Sequence, residues 1–151
     1  MDTIVVGIDG SDGSKRALVW AAGEARLRGA RLMLVRAWVP PAGLYGYGWT
    51  IIDGEAIAGL RSLADKQLEE LCLEFSAELD GLDVDRRVVE DLPAQALLDA
   101  AQSADLLVVG TRGHGGFTGL LLGSVSQQCA HHSPCPIVIV PPAEHKRGSG
   151  S

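Results

Sequence analysis

Apolar positions along this chain follow two regimes in turn, short uninterrupted runs and longer stretches with helical spacing. Thr3-Ile4-Val5-Val6-Gly7-Ile8 is β-branched and continuous, which predicts a buried strand. Asp9-Gly10-Ser11-Asp12-Gly13 predicts the turn that stops it. Ala17, Leu18, Ala21, Ala22 and Ala25 then recur at helical spacing as far as Gly29, a residue suited to a helix C-terminal cap. Leu32 to Val35 predicts a second strand. Ile57, Leu60, Ala64, Leu68, Leu71, Phe75 and Leu79 fall on one face of a long helix. A third strand is expected over Val84 to Val89, a helix over Ala94 to Ala101 opened by Pro93, and a fourth strand over Leu106 to Val109. A glycine-rich loop from Gly110 to Gly123 leads into a helix from Ser124 to His131, and Ile137 to Val140 gives a fifth strand before Pro141-Pro142.

Strands separated by helix-length connections imply parallel pairing, and continuous apolar strands imply a sheet covered on both faces. The expected fold is a doubly wound α/β sandwich: one domain over residues 1–142, followed over 143–151 by a polar tail expected to be flexible. In such sheets ligands sit beyond the carboxyl ends of the strands, where neighbouring connections leave to opposite faces. A strand order of 3-2-1-4-5 would put that point between strands one and four, with Asp9 on one side and the glycine loop on the other. The connection from Pro40 to Gly54, with Tyr45, Tyr47 and Trp49, exceeds the roughly two to six residues usual in such units. It reads as a surface insertion or as a lid over a ligand at the end of strand two.

Charge narrows the partners. Nineteen acids against thirteen Lys and Arg give a net charge of −6, which argues against holding nucleic acid or anionic lipid by phosphate neutralisation. Asp53 to Asp91 contain twelve acids and four bases, whereas the rest of the chain contains seven acids and nine bases. An anionic small ligand is therefore better tolerated near the two ends of the chain than near its middle. Three cysteines without a framework spacing, no signal-peptide pattern and no membrane-length apolar run point to a cytoplasmic protein. Cys129, His131, His132 and Cys135 straddle a helix end without a paired Cys-x-x-Cys element, so no metal site is assigned to them. Trp20 and Trp38 read as packing residues.

The loop after strand four carries the chemistry. Gly110, Gly113, Gly115, Gly116 and Gly119 precede Gly123, and the loop runs straight into a helix start. Glycines let backbone N–H groups approach an anion, and the helix N-terminus adds free donors and the positive end of its dipole. Arg112 and His114 add positive charge. Ser124 and Gln127 are also spaced as a capping box, which would make Ser124 a cap for its own helix. Gly10 to Lys15 has the wrong spacing for a Walker A loop, and Gly7, Gly10 and Gly13 do not form the dinucleotide fingerprint.

The spacing Gly110-x2-Gly113-x9-Gly123-Ser124 resembles the ATP-binding branch of the universal stress protein family, and the order of elements from Thr3 to Val140 resembles that family's fold. The resemblance implies an adenine nucleotide alpha hydrolase-like sheet and a mononucleotide site. Its triphosphate would lie on Gly110, Arg112, Gly113, His114, Gly115 and Gly116, and on Gly123, Ser124 and Val125, with Ser126 a further candidate. Asp9, with Gly7 giving room beside it, takes the place of the family's acidic residue. It would hydrogen-bond ribose or base, or hold Mg2+ that bridges to phosphate; its other reading is a turn-forming Asp before Gly10. Ala37 would read adenine through its backbone after strand two. The implied function is that of an ATP-binding stress-response regulator acting on a protein partner. The alternatives are a cyclic AMP sink, or a slow ATPase or nucleotidyl-transfer enzyme on the same site. The loop offers no evident catalytic base, and no His-x-Gly-His signature is present, so at most slow ATP hydrolysis is expected. Ile137, Val138, Ile139 and Val140 form an uninterrupted apolar edge, which predicts a homodimer built by antiparallel pairing with its copy.

Overall fold

The computed structural model describes residues 1–40, 54–111 and 122–143. The elements follow in the order β1 (Thr3–Gly7), α1 (Asp12–Arg28), β2 (Arg31–Trp38), α2 (Gly54–Glu74), α3 (Ser76–Leu79), β3 (Val84–Glu90), α4 (Pro93–Ala101), β4 (Leu106–Gly110), α5 (Ser124–His132) and β5 (Ile137–Val140). The five strands form one sheet in the order β3-β2-β1-β4-β5, with every pairing parallel.

Alternation along the strands sorts the core into two layers. Ile4, Val6, Leu32, Leu34 and Val108 pack with Ala17, Leu18 and Ala21 of α1 and Leu68 and Leu71 of α2. Val5, Met33, Val35, Leu107 and Val109 pack with Ala96, Leu97 and Ala101 of α4 and Cys129 of α5. Helices α1 to α3 thus cover one face and α4 and α5 the other.

Two helix boundaries are set by local chemistry. At α1, Ser11 caps the start by accepting from the Ser14 N–H, and Gly29 ends the helix at φ 65, the left-handed region where a side chain is disfavoured. The long helix expected through Leu79 is instead broken at Phe75 (φ −104, ψ 27). Arg26 of α1 donates to the carbonyls of Glu78 (2.8 Å) and Asp80 (3.0 Å), which holds the detached last turn against α1.

Two further expectations need correction. The second strand continues beyond Val35 to Trp38, because β3 pairs with it residue for residue as far as Trp38↔Glu90. Trp20 is not a packed core residue: it lies 38% exposed on α1. The sheet's two edges also differ. β3 carries Asp85, Arg86, Arg87 and Glu90, whereas β5 is wholly apolar and half-buried.

The seating of α1 depends on one close contact. A Cβ on Gly110 would stand 2.7 Å from the Gly13 carbonyl carbon and 2.8 Å from its oxygen, so the end of β4 meets the first turn of α1 backbone to backbone. Gly110→Ala is expected to destabilise the fold by about 1–3 kcal/mol, the usual cost of overpacking. Gly23→Ala, in the middle of α1 with nothing within 4 Å of the added Cβ, is expected to stabilise it by about 0.4–1 kcal/mol. Urea denaturation of the two variants tests the contrast.

Candidate functional site

The carboxyl end of the sheet contains a notch above β1. β1 ends where Gly7 pairs with Val35, while β2 runs on to Trp38 and β4 to Gly110. The Ile8 N–H donates to the Val35 carbonyl at 2.9 Å, so the polar groups of Val35 face β1. Strand alternation turns those of Ala37 the same way, beyond the last residue of β1. Ala37 therefore lies within β2 rather than after it, and its N–H and C=O face the notch. On the other side of the notch, β4 ends at Gly110 and the chain goes on towards α5.

The turn between β1 and α1 is a closed hydrogen-bond ring. Asp9 Oδ1 accepts from the Ser11 N–H (2.9 Å) and the Ser11 hydroxyl (2.5 Å). Ser11 Oγ in turn accepts from the Ser14 N–H (3.2 Å), and the Ser14 hydroxyl donates to the Ser11 carbonyl (3.0 Å). The turn-forming reading of Asp9 is thus realised, and the ring holds its carboxylate at the mouth of the notch. At Gly7 a Cβ would come within 2.8 Å of Leu97 Cδ1 in α4. Gly110 likewise makes room for α1, as described above.

The capping box expected at α5 does not form. Gly123 (φ −78, ψ 173) is the N-cap, Ser124 is already the first helical residue, and the cap residue has no side chain with which to accept from the helix. The first N–H groups of α5 thus lack the side-chain oxygen that usually satisfies them, and Ser124 and Val125 carry two of these donors. Ser126 is 3% exposed, and its single hydroxyl proton is donated to the Thr111 carbonyl (2.6 Å), with the Gly123 carbonyl 3.1 Å away as the second acceptor. The Thr111 carbonyl also accepts from the Gly123 N–H at 2.7 Å.

The fold thus brings Asp9, Ala37, Gly110, Gly123, Ser124 and Val125 to one end of the sheet. Arg112, Gly113, His114, Gly115 and Gly116 lie outside the described residues, as do most of the long connection after Pro40 and the tail from residue 144 onward. One contributor, Arg36, escaped sequence reading. Arg36 follows Leu32 and Leu34 on the α2 side of β2, where an apolar residue is expected, and that break in the pattern was its signal. Its Nη2 donates to Gln67 Oε1 (2.8 Å), while its buried Nε has no hydrogen-bond partner among the described residues. Arg36 and Asp9 line a cavity of about 310 Å³ between α1 and α2, together with Lys15 and Gln67. Thr111 falls in the loop from Gly110 to Gly116 expected to hold phosphate, but nothing local announces its hydrogen bonds to β5 and α5. Among the described residues no group of three or more His, Cys, Asp or Glu could hold a metal. Cys129 is fully buried, and burial pushes its thiol up to about 11, so it is a core residue rather than a nucleophile.

The sequence profile of the universal stress protein family matches residues 1–141. The chain belongs to the universal stress protein family. It is 38% identical to a universal stress protein of Thermus aquaticus over 141 residues, which cover 91% of this chain and 97% of that one. It is 37% identical to one of Mycobacterium bovis over 138 residues, covering 90% of this chain but 44% of the relative, so the chain spans under half the length of that protein. A universal stress protein solved in complex with cAMP is similar at 31% identity and TM-score 0.59, over 92% of this chain and 95% of that one. A universal stress protein of Lactobacillus plantarum shares the fold at TM-score 0.70 and 20% identity, over 92% and 97% of the two chains. The fold is the adenine nucleotide alpha hydrolase-like sheet of these universal stress proteins.

In this universal stress protein the Asp9–Ser11 ring yields a direct test. Ser11→Ala removes both the cap of α1 and a hydroxyl donor to Asp9. It is expected to cost about 0.5–2 kcal/mol, measured by urea denaturation.

Proposed function

We propose that this protein binds an adenine nucleotide, ATP foremost, in the notch above β1, and that occupancy of the site regulates its interactions with a protein partner in the cytoplasm. The observation that carries this reading is the N-terminus of α5, where a glycine cap leaves the first N–H groups of the helix without a side-chain acceptor. An anion supplies what the cap does not, and the helix dipole favours it. The glycine loop before it, with Gly113, Gly115, Gly116, the guanidinium of Arg112 and the imidazole of His114, extends the same cradle along a polyphosphate. Across the notch the N–H and C=O of Ala37 match the acceptor and amino donor on the edge of adenine. Asp9, too negative to face phosphate directly, contacts ribose or base, or holds Mg2+ that bridges to phosphate.

The cAMP complex of the 31% identical relative supports an adenine nucleotide and favours, as a second reading, storage of cyclic AMP. The length of the glycine loop favours the triphosphate. The same reading takes the protein as a binding protein with at most slow ATP hydrolysis.

The same reading includes a homodimer. Leu107 donates to the Pro136 carbonyl (3.0 Å) and Thr111 to the Val140 carbonyl (3.1 Å), so the polar groups of Val138 and Val140 face β4. Those of Ile137 and Ile139 face outward by alternation, an open edge for strand addition. Arg16 of α1 donates to the Pro141 carbonyl at 3.2 Å, and exposed Trp20 lies one helical turn further along the same side. Trp20 thus extends the apolar edge with a large side chain of the kind enriched at interfaces.

Two experiments test the reading. In side-by-side calorimetric titrations with ATP, AMP and cyclic AMP, ATP is expected to bind tightest. Gly123→Val, whose backbone is already extended, is expected to lower ATP affinity at least about tenfold with little change in thermal midpoint, because its side chain enters the cradle. Equal ATP affinity in both proteins defeats the site assignment. For the dimer, Ile139→Pro places a proline where the N–H faces outward, which an edge strand tolerates. Light scattering should fall from dimer to monomer mass, and a wild type that is monomeric at micromolar concentration refutes the arrangement.

A further inference from the structure

Thr111 uses every polar group it has, and it uses them on both sides. Its N–H (3.1 Å) and its hydroxyl (2.6 Å) both donate to the Val140 carbonyl at the end of β5. Its carbonyl accepts from the Gly123 N–H (2.7 Å) and from the buried Ser126 hydroxyl (2.6 Å) at the start of α5. One residue therefore joins the end of β4, the first turn of α5 and the last residue of the open edge strand. From this we propose that Thr111 is a positioning residue that couples the nucleotide site to the β5 edge, so that ATP bound at α5 tightens the pairing of β5 with a second copy. The inference rests on the nucleotide and dimer reading given above.

The coupling follows from how few constraints each partner has. The N-cap of α5 is a glycine with no side chain to hold the first turn, and besides the packing of Val125 and Cys129 the turn is tied to the end of β4 by the two bonds into the Thr111 carbonyl. A phosphate held on the N–H groups of Ser124 and Val125 fixes that turn, and with it the Thr111 carbonyl. On the other side β5 has four residues, and the carboxyl end of that short ladder is the pair of bonds into the Val140 carbonyl. A two-fold antiparallel seam sets the end of one β5 against the start of its copy, so order at Val140 counts at both ends of the seam. Linkage then requires that dimerisation tightens ATP binding in turn, the two sites of the pair together by the factor by which ATP tightens the dimer.

The test measures the dimer dissociation constant by analytical ultracentrifugation, without nucleotide and with saturating ATP, alongside calorimetric ATP affinity. Wild type is expected to tighten on the order of tenfold with ATP, within the usual range of such couplings. Thr111→Val keeps the β-branch and the backbone N–H but loses the hydroxyl, and is expected to abolish the tightening. Thr111→Ser, which restores the hydroxyl, should recover it. Ser126→Ala removes the hydroxyl donor on the α5 side and should abolish the tightening too, which gives a second arm should the valine variant fold poorly. A merely structural role would lower stability in these variants but leave the ATP-induced ratio intact. Equal tightening in wild type, Thr111→Val and Ser126→Ala overturns the coupling while leaving the nucleotide and dimer reading in place. A wild type that binds no ATP, or never dimerises, overturns that reading and the coupling with it.

Discussion

The contact between Gly13 and Gly110 is the constraint on which the arrangement at the carboxyl end of the sheet depends. With no Cβ at Gly110, the first turn of α1 rests directly on the end of β4, and α1 spans β1 and β4 beneath the notch. A side chain there would lift the start of α1, and with it the Asp9–Ser11–Ser14 ring that Ser11 ties to the helix cap. The position of Asp9 at the notch is thus tied to how the first turn of α1, four residues further along the chain at Gly13, packs on the sheet. A glycine at the end of a strand can thus seat a helix as well as leave room for a ligand.

Much of the fold was legible in the sequence because continuous apolar runs and helical spacing are local signals, and five strands alternating with helices leave few parallel arrangements. The boundaries that shifted were decided by partners far along the chain. Leu32 to Val35 reads as a short strand until β3 pairs alongside and carries it on to Trp38. The seven apolar positions from Ile57 to Leu79 read as one helix, but Arg26, more than fifty residues from Asp80, holds the last turn apart. Trp20 shows the converse failure, since aromatic identity alone does not say which side of a helix meets the core.

The site was legible to the extent that it is made of backbone. Glycine spacing announced the loop before α5, and Asp9 was visible as a turn residue. The capping box was a false signal: Ser124 and Gln127 have the right spacing, but the chain enters α5 one residue earlier than that box requires, with Gly123 as cap. Arg36 and Thr111 gave little warning because their roles lie in hydrogen bonds across elements, to Gln67 of α2 and to Val140 of β5, which no local pattern encodes.

The unequal edges of the sheet set how far association can proceed. β3 presents Arg86 and Arg87 and the carboxylates of Asp85 and Glu90 to any incoming strand, whereas β5 presents only isoleucine and valine. Charged edges discourage strand addition. An assembly built through β5 therefore consumes its one sticky edge and leaves charged edges at both outer rims, so growth terminates at a closed pair and cannot propagate into an open-ended filament.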